Sequence, residues 1–214
     1  MLKNIKLALF LPIWLFLAYT NAFATDPIDA ETGIYWWAND FEADFSGSEI
    51  YAGALGSSGE FWFDQKWGMG GQIYQSDLEE DNFDDTELLN LDFKRRIFSL
   101  TDNTFLALGL GWQDVNIDNE SSDGARVLLE GRVGLGGVVY LYGQTAWFPE
   151  LDDFSNRSNV DGKEFEAGLS YDPLPFFSLR AGYRKFKIDY TNNKNDKDES
   201  AGSTGFVIGA GFRW

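Results

Sequence analysis

From Phe177 the chain reads FSLRAGYRKFKIDY, and its side chains sort by parity. Phe177, Leu179, Ala181 and Tyr183 fall on one face, and Ser178, Arg180, Gly182 and Arg184 on the other. A strand sends successive side chains to opposite faces, whereas a helix repeats at about 3.6 residues. The period of two recurs. LLNLDFKRRIF sets Leu89, Leu91 and Phe93 against Asn90, Asp92 and Lys94. NTFLALGLGW sets Leu106, Leu108, Leu110 and Trp112 against Phe105, Ala107, Gly109 and Gly111. ARVLLEGRVGL and KEFEAGLSY repeat the pattern, with Val127, Leu129 and Val133 opposite Arg126, Glu130 and Arg132, and Phe165 and Leu169 opposite Glu164 and Glu166. VVYLYGQTAW is an aromatic-rich strand without clean alternation. After Lys185 the phase is read as slipping, with Phe186, Ile188 and Tyr190 resuming it past a bulge.

The last residues, STGFVIGAGFRW, put Phe206, Ile208, Ala210, Phe212 and Trp214 on one side up to the end of the chain. A polar, loose terminus is the ordinary case, so this face must be buried. Each segment is about ten residues with one apolar stripe, which is the length and pattern of a strand crossing a bilayer. Helices and closed barrels are the structures that satisfy every backbone group in lipid. A β-sandwich would also alternate, but would not need an oily face carried to the final residue.

The opening, MLKNIKLALFLPIWLFLAYTNAFA, has a basic head (Lys3, Lys6), an apolar run and an Ala22-Phe23-Ala24 site. That is the three-part pattern of a secretory signal, so residues 1–24 are expected to be removed and residues 25–214 to form one barrel domain. The run is shorter than the roughly 20 apolar residues of a spanning helix.

The connections alternate. Short turns fall at 64–66, 99–103, 134–137 and 172–176, and polar stretches read as long loops fall at 76–87, 116–124, 149–162 and 191–203. Outer-membrane barrels have short periplasmic turns and longer outer loops, with an even strand number. Eight strands fit between Lys66 and Trp214, and GIYWWANDFEADF with SEIYAGALGSSGEFWF supplies one further hairpin. The expected fold is therefore all-β, a transmembrane antiparallel up-and-down barrel of ten strands, with eight as the alternative. Tyr35, Trp37, Trp112, Tyr171, Tyr183 and Trp214 are read as outward aromatic belts.

Composition then narrows function. The 17 Lys and Arg face 34 Asp and Glu. Without Lys3 and Lys6 the balance is 15 to 34, or −19, which argues against binding nucleic acid. Cysteine is absent, so there is no disulfide or thiolate chemistry. Histidine is also absent, and with it the usual general base of acyl enzymes and proteases. No enzyme activity and no cofactor are expected. Asp92, Lys94, Arg96, Arg126, Glu130, Arg132, Glu164, Glu166, Arg180, Arg184 and Arg213 lie on the polar faces. They are expected to form a charge network in the lumen that closes it, since barrels this small barely hold their own side chains. A narrow porin-like path through those charges is the alternative, and a histidine-independent lipid-modifying enzyme a weaker one. The cluster Asp77, Glu79, Glu80, Asp81, Asp84 and Asp85 is read as solvated outer loop. Weak divalent-cation binding there is the minor reading, and no specific metal site is assigned.

The terminal aromatic with alternating apolar residues before it (Phe206, Ile208, Ala210, Phe212, Trp214) resembles the C-terminal signal that the barrel-assembly machinery reads during insertion. More narrowly, LYGQTAWFPE, EFEAGLSYDPLPFFSLRAGYRKFKI and TGFVIGAGFRW are similar to the C-terminal half of the YfaZ-type outer-membrane proteins, over residues 125–214. The resemblance implies a location integral to the outer membrane of a Gram-negative bacterium, reached through the periplasm. It implies outer-membrane lipid and lipopolysaccharide as partners, and it brings no established chemistry.

Overall fold

The computed structural model describes residues 29–43, 49–63, 66–76, 86–101, 104–117, 120–153 and 157–213. The signal segment, the acidic stretch 77–85 and Trp214 lie outside the described residues. Ten strands follow in order: β1 (Asp29–Ala43), β2 (Glu49–Phe63), β3 (Trp67–Ser76), β4 (Thr86–Thr101), β5 (Thr104–Ile117), β6 (Glu120–Gly136), β7 (Val139–Leu151), β8 (Arg157–Leu174), β9 (Phe177–Asn192) and β10 (Lys197–Arg213). Each pairs antiparallel with its neighbours in sequence, and β1 pairs with β10, so the sheet closes into a barrel. The closing seam runs from Glu31 opposite Arg213 to Ala43 opposite Ala201. Closure leaves no unpaired edge, which is what permits a sheet to sit in lipid. The ten-strand expectation holds, and the eight-strand alternative does not.

The exterior is apolar where a soluble protein could not be. Leu100, Leu110 and Phe206 are about 70% exposed, and Ile34, Trp36, Leu91, Phe93, Ile208 and Phe212 about half exposed. A continuous band of this kind around a closed barrel is a lipid-facing surface. The alternation expected for β4, β5, β6, β8 and β10 is the alternation observed, with Phe206, Ile208, Ala210 and Phe212 all outward. Aromatics cluster on the exterior toward both ends. Trp67 stacks on Phe93 (5.2 Å between ring centres) and Phe177 meets Phe212 near the chain-terminus end. Tyr183 meets Phe206 toward the other end.

Three sequence expectations are corrected. Tyr35 and Trp37 do not belong to the outer belt; they are 4% and 1% exposed and point into the barrel. Two adjacent tryptophans hide the phase of β1, and Trp36 is the one that faces lipid. No slip follows Lys185 either. The β9–β10 register runs unbroken, and Phe186, Ile188 and Tyr190 continue the inward series of Arg180 and Arg184. What changes there is the lumen, from polar to apolar. Finally, three of the four stretches read as long loops are mostly strand. β5 runs to Ile117 and β6 resumes at Glu120; β7 ends at Leu151 and β8 starts at Arg157; β9 and β10 are separated by 193–196 alone. β8 has 18 residues, a length of about 60 Å, so the hairpins carry the barrel well beyond a hydrophobic band about 25 Å tall.

Turns at the terminus end are tight. Gly136 and Gly137 take φ of +115° and +61°, which lets β6 reverse into β7 within two residues. β7 does alternate, and its inward face is itself aromatic, carrying Tyr140, Tyr142 and Phe148. The aromatic residues on both faces are what blurred its pattern.

Candidate functional site

Every charged residue assigned to the lumen from sequence points inward, and the structure sorts them into tiers. At the terminus end, Asp29 on β1 takes Arg96 of β4 at 3.0 Å and Arg213 of β10 at 3.3 Å. Arg213 also meets Asp172 at 3.5 Å. The Arg96 guanidinium lies over Trp62 (4.1 Å) and Phe105 (4.5 Å), whose rings pack edge to face. Guanidinium groups stack well on aromatic faces, which lets a cation share space with an apolar pair.

The middle tier is ionic. Glu31 takes Arg132 at 3.0 Å and also binds Arg180. Lys94 stands between Glu60 (2.9 Å) and Glu130 (2.7 Å), and Trp62 Nε1 donates to Glu60. Arg126 donates to Asp92 (3.1 Å), Glu164 (3.0 Å) and the Gln113 side chain (2.7 Å). Arg184 pairs with Glu164 (3.1 Å) and Glu166 (3.2 Å) and donates to Gln72 (3.3 Å). The Tyr142 hydroxyl donates to Glu166, and Gln144 donates to Glu164. Arg126 and Arg184 are 1% and 0% exposed, so these ions are removed from water and depend on one another, since a buried charge is tolerable when paired and hydrogen-bonded.

Above this tier, toward the hairpins, the lumen turns apolar. Arg184 lies over the Tyr74 ring at 4.0 Å and Trp37 at 5.2 Å. Over them Phe148 stacks on Phe186, and Leu88, Val115, Ile117, Leu151, Val160 and Ile188 complete a buried cluster. A space of about 50 Å³ lies within the ionic tier, beside Gln72, Asn90, Lys94, Glu130 and Arg180, which is room for a few waters.

Four of the eight acidic partners named above, Asp29, Glu31, Glu60 and Asp172, were not legible beforehand. Asp29, Glu31 and Glu60 complete the ion pairs, yet they lie on β1 and β2, where adjacent aromatics and small residues obscure the alternation. The outward Phe61 and Phe63 were the available signal that Glu60 faces in. Gln72, Gln113 and Tyr142 were missed because an uncharged polar side chain on a strand carries no mark of its partner.

No family model matches the chain, and no curated protein sequence matches it. Among solved structures, the outer membrane protease OmpT of Escherichia coli has a TM-score of 0.58 at 10% identity, covering 90% of this chain and 98% of that one. Neisserial surface protein A has a TM-score of 0.44 at 10% identity, covering 88% and 100%. Ail, the attachment invasion locus protein of Yersinia pestis, has 0.39 at 15%, covering 87% and 98%. At such identities the likeness to OmpT speaks for the fold. Together with the lipid-facing belt, that fold makes the chain an integral membrane β-barrel of the outer-membrane type.

Proposed function

We propose that this protein is a sealed outer-membrane barrel with a structural or surface-exposed role and no catalysis. The observation that carries the reading is the stacking of a paired ionic tier beneath an apolar plug. An ion entering from the hairpin side would meet Trp37, Phe148 and Phe186, with only the uncharged side chains of Asn39, Ser76, Thr86 and Ser203 beside them to replace its hydration. From the other side it would meet guanidinium and carboxylate groups already satisfied by each other. The absence of histidine from the whole sequence supports the non-catalytic part, because the usual proton-transfer group is missing. The kinship with YfaZ-type proteins suggested by residues 125–214 belongs to the same reading.

Single-channel recording from the refolded chain in a planar bilayer tests it. The expected result is silence from protein whose β-rich circular dichroism confirms folding. Discrete, reproducible openings would make it a narrow porin-like channel instead. Turnover of labelled lipid by the same preparation would revive a histidine-independent enzyme.

A further inference from the structure

The cations of this acidic chain are unevenly placed. On β1 to β7 and their turns, the described Lys and Arg either point into the lumen or, as Lys66 and Arg95, sit at the terminus end. Toward the hairpin end, every Lys or Arg belongs to β8, β9, β10 or the tip between the last two: Arg157, Lys163, Lys185, Lys187, Lys194 and Lys197. Three of these lie on the outer surface at the aromatic edge of the lipid belt. Lys163 is directly opposite Lys187, and Lys185 is directly opposite Phe165. Trp147 lies beside Lys163 on the other flank.

Like charges placed directly opposite each other across two strands repel. Lys187 is partly answered by Asp189 at 2.5 Å. Lys163 and Lys185 are exposed and have no ion-pair partner among the described residues. Two strands away in the same rows, the outer face of β1 presents Asp40 and Glu42, through Thr204 and Gly202 of β10. An anion at the membrane surface is therefore repelled by Asp40 and Glu42 on β1 and by Asp161 and Asp189 one row beyond the lysines, and attracted at the rows of Lys163, Lys185 and Lys187. Lysine binds phosphate as a point charge, and basic groups at a bilayer surface attract anionic lipid. The aromatic rings of Trp147 and Phe165, beside Lys163 and Lys185 in the same rows, suit the apolar part of the same molecule.

We propose that the outer face of β8 and β9, through Lys163, Lys185 and Lys187, holds the phosphate groups of a phosphorylated glycolipid of the outer leaflet. The site rests on the outer-membrane reading above. Its test uses the full refolded chain in phosphatidylcholine nanodiscs containing doubly phosphorylated lipid A, the same lipid dephosphorylated, or no glycolipid with inorganic phosphate in solution. Native mass spectrometry reads retained lipid, and the unfolding temperature reads stabilisation.

Phosphorylated lipid A should be retained and should raise the unfolding temperature. K163Q/K185Q should weaken retention about thirtyfold, the scale of two lysines at a membrane surface. K194Q/K197Q, which removes equal charge from the hairpin tip, should retain it as the unaltered chain does. Equal retention of dephosphorylated lipid, or full retention by K163Q/K185Q, would overturn the site. An equal stabilisation by inorganic phosphate would overturn its assignment to a lipid. A folded, inserted barrel that retains no lipid A sinks this site alone, whereas a chain that inserts into no bilayer sinks the outer-membrane reading as well.

Discussion

Arg126 shows what a single residue carries inside this barrel. Its guanidinium serves Asp92, Glu164 and Gln113 at once, so its loss strands the buried Asp92 and leaves Glu164 to Arg184 and Gln144. Arg126→Met should cost about 3–5 kcal/mol in urea unfolding of the refolded protein. Replacing Arg126 and Asp92 together by uncharged residues should recover much of that loss, because it is the unpaired charge that is expensive. Gly182 is constrained differently. A Cβ there would come 2.6 Å from the Tyr142 hydroxyl and 2.8 Å from the Ala167 carbonyl oxygen. Gly182→Val should lower stability by about 1–3 kcal/mol through overpacking. It should also displace Tyr142 from Glu166, a change visible in the tyrosine near-ultraviolet circular dichroism. The inward position of Arg126 was readable from parity alone; its partners on other strands were not, because parity names a face and never a neighbour.

At the scale of the strand, the lipid face and the hairpin ends obey different rules. β10 was legible in full over its last ten residues because lipid demands a strict outward apolar stripe there. Ile208→Arg, in the middle of that stripe, should cost about 2–4 kcal/mol of stability in a bilayer and slow assembly, measured as the folded fraction on unheated gels. Beyond the membrane the demand disappears. The residues of 116–124 and 191–203 are polar on both faces, so nothing in their pattern distinguishes a paired hairpin from a loop. Backbone hydrogen bonds hold them as strand, and those bonds leave no trace in side-chain periodicity. Replacing residues 193–196 by a two-residue Asn-Gly turn should therefore shift stability by no more than about 0.5 kcal/mol, read by the same urea titration. The phase of β1 was lost for another reason: Trp36 and Trp37 are adjacent, and an aromatic ring suits lipid and lumen equally well.

For the molecule as a whole, the decisive feature is the order of its interior layers. Truncating the plug with Trp37→Ala, Phe148→Ala and Phe186→Ala should leave the ten strands intact and convert a silent barrel into a conducting one in planar-bilayer recordings. Adding Arg132→Ala to that background should favour cations, since a positive charge leaves the path. The sequence by itself determined the class of the fold and favoured ten strands over eight. A period of two that recurs with an oily stripe admits few structures, and membrane strands must all obey it. It also placed eleven charges on the inward faces of β4, β6, β8, β9 and β10. The tertiary structure alone decided that an apolar layer lies over the ionic tier of the lumen. Trp37, Tyr74, Leu88, Ile117, Phe148 and Phe186 come from six different strands, and their meeting depends on the registers between those strands. Register is fixed by closure of the sheet around its full circumference, a condition that no single segment of sequence contains.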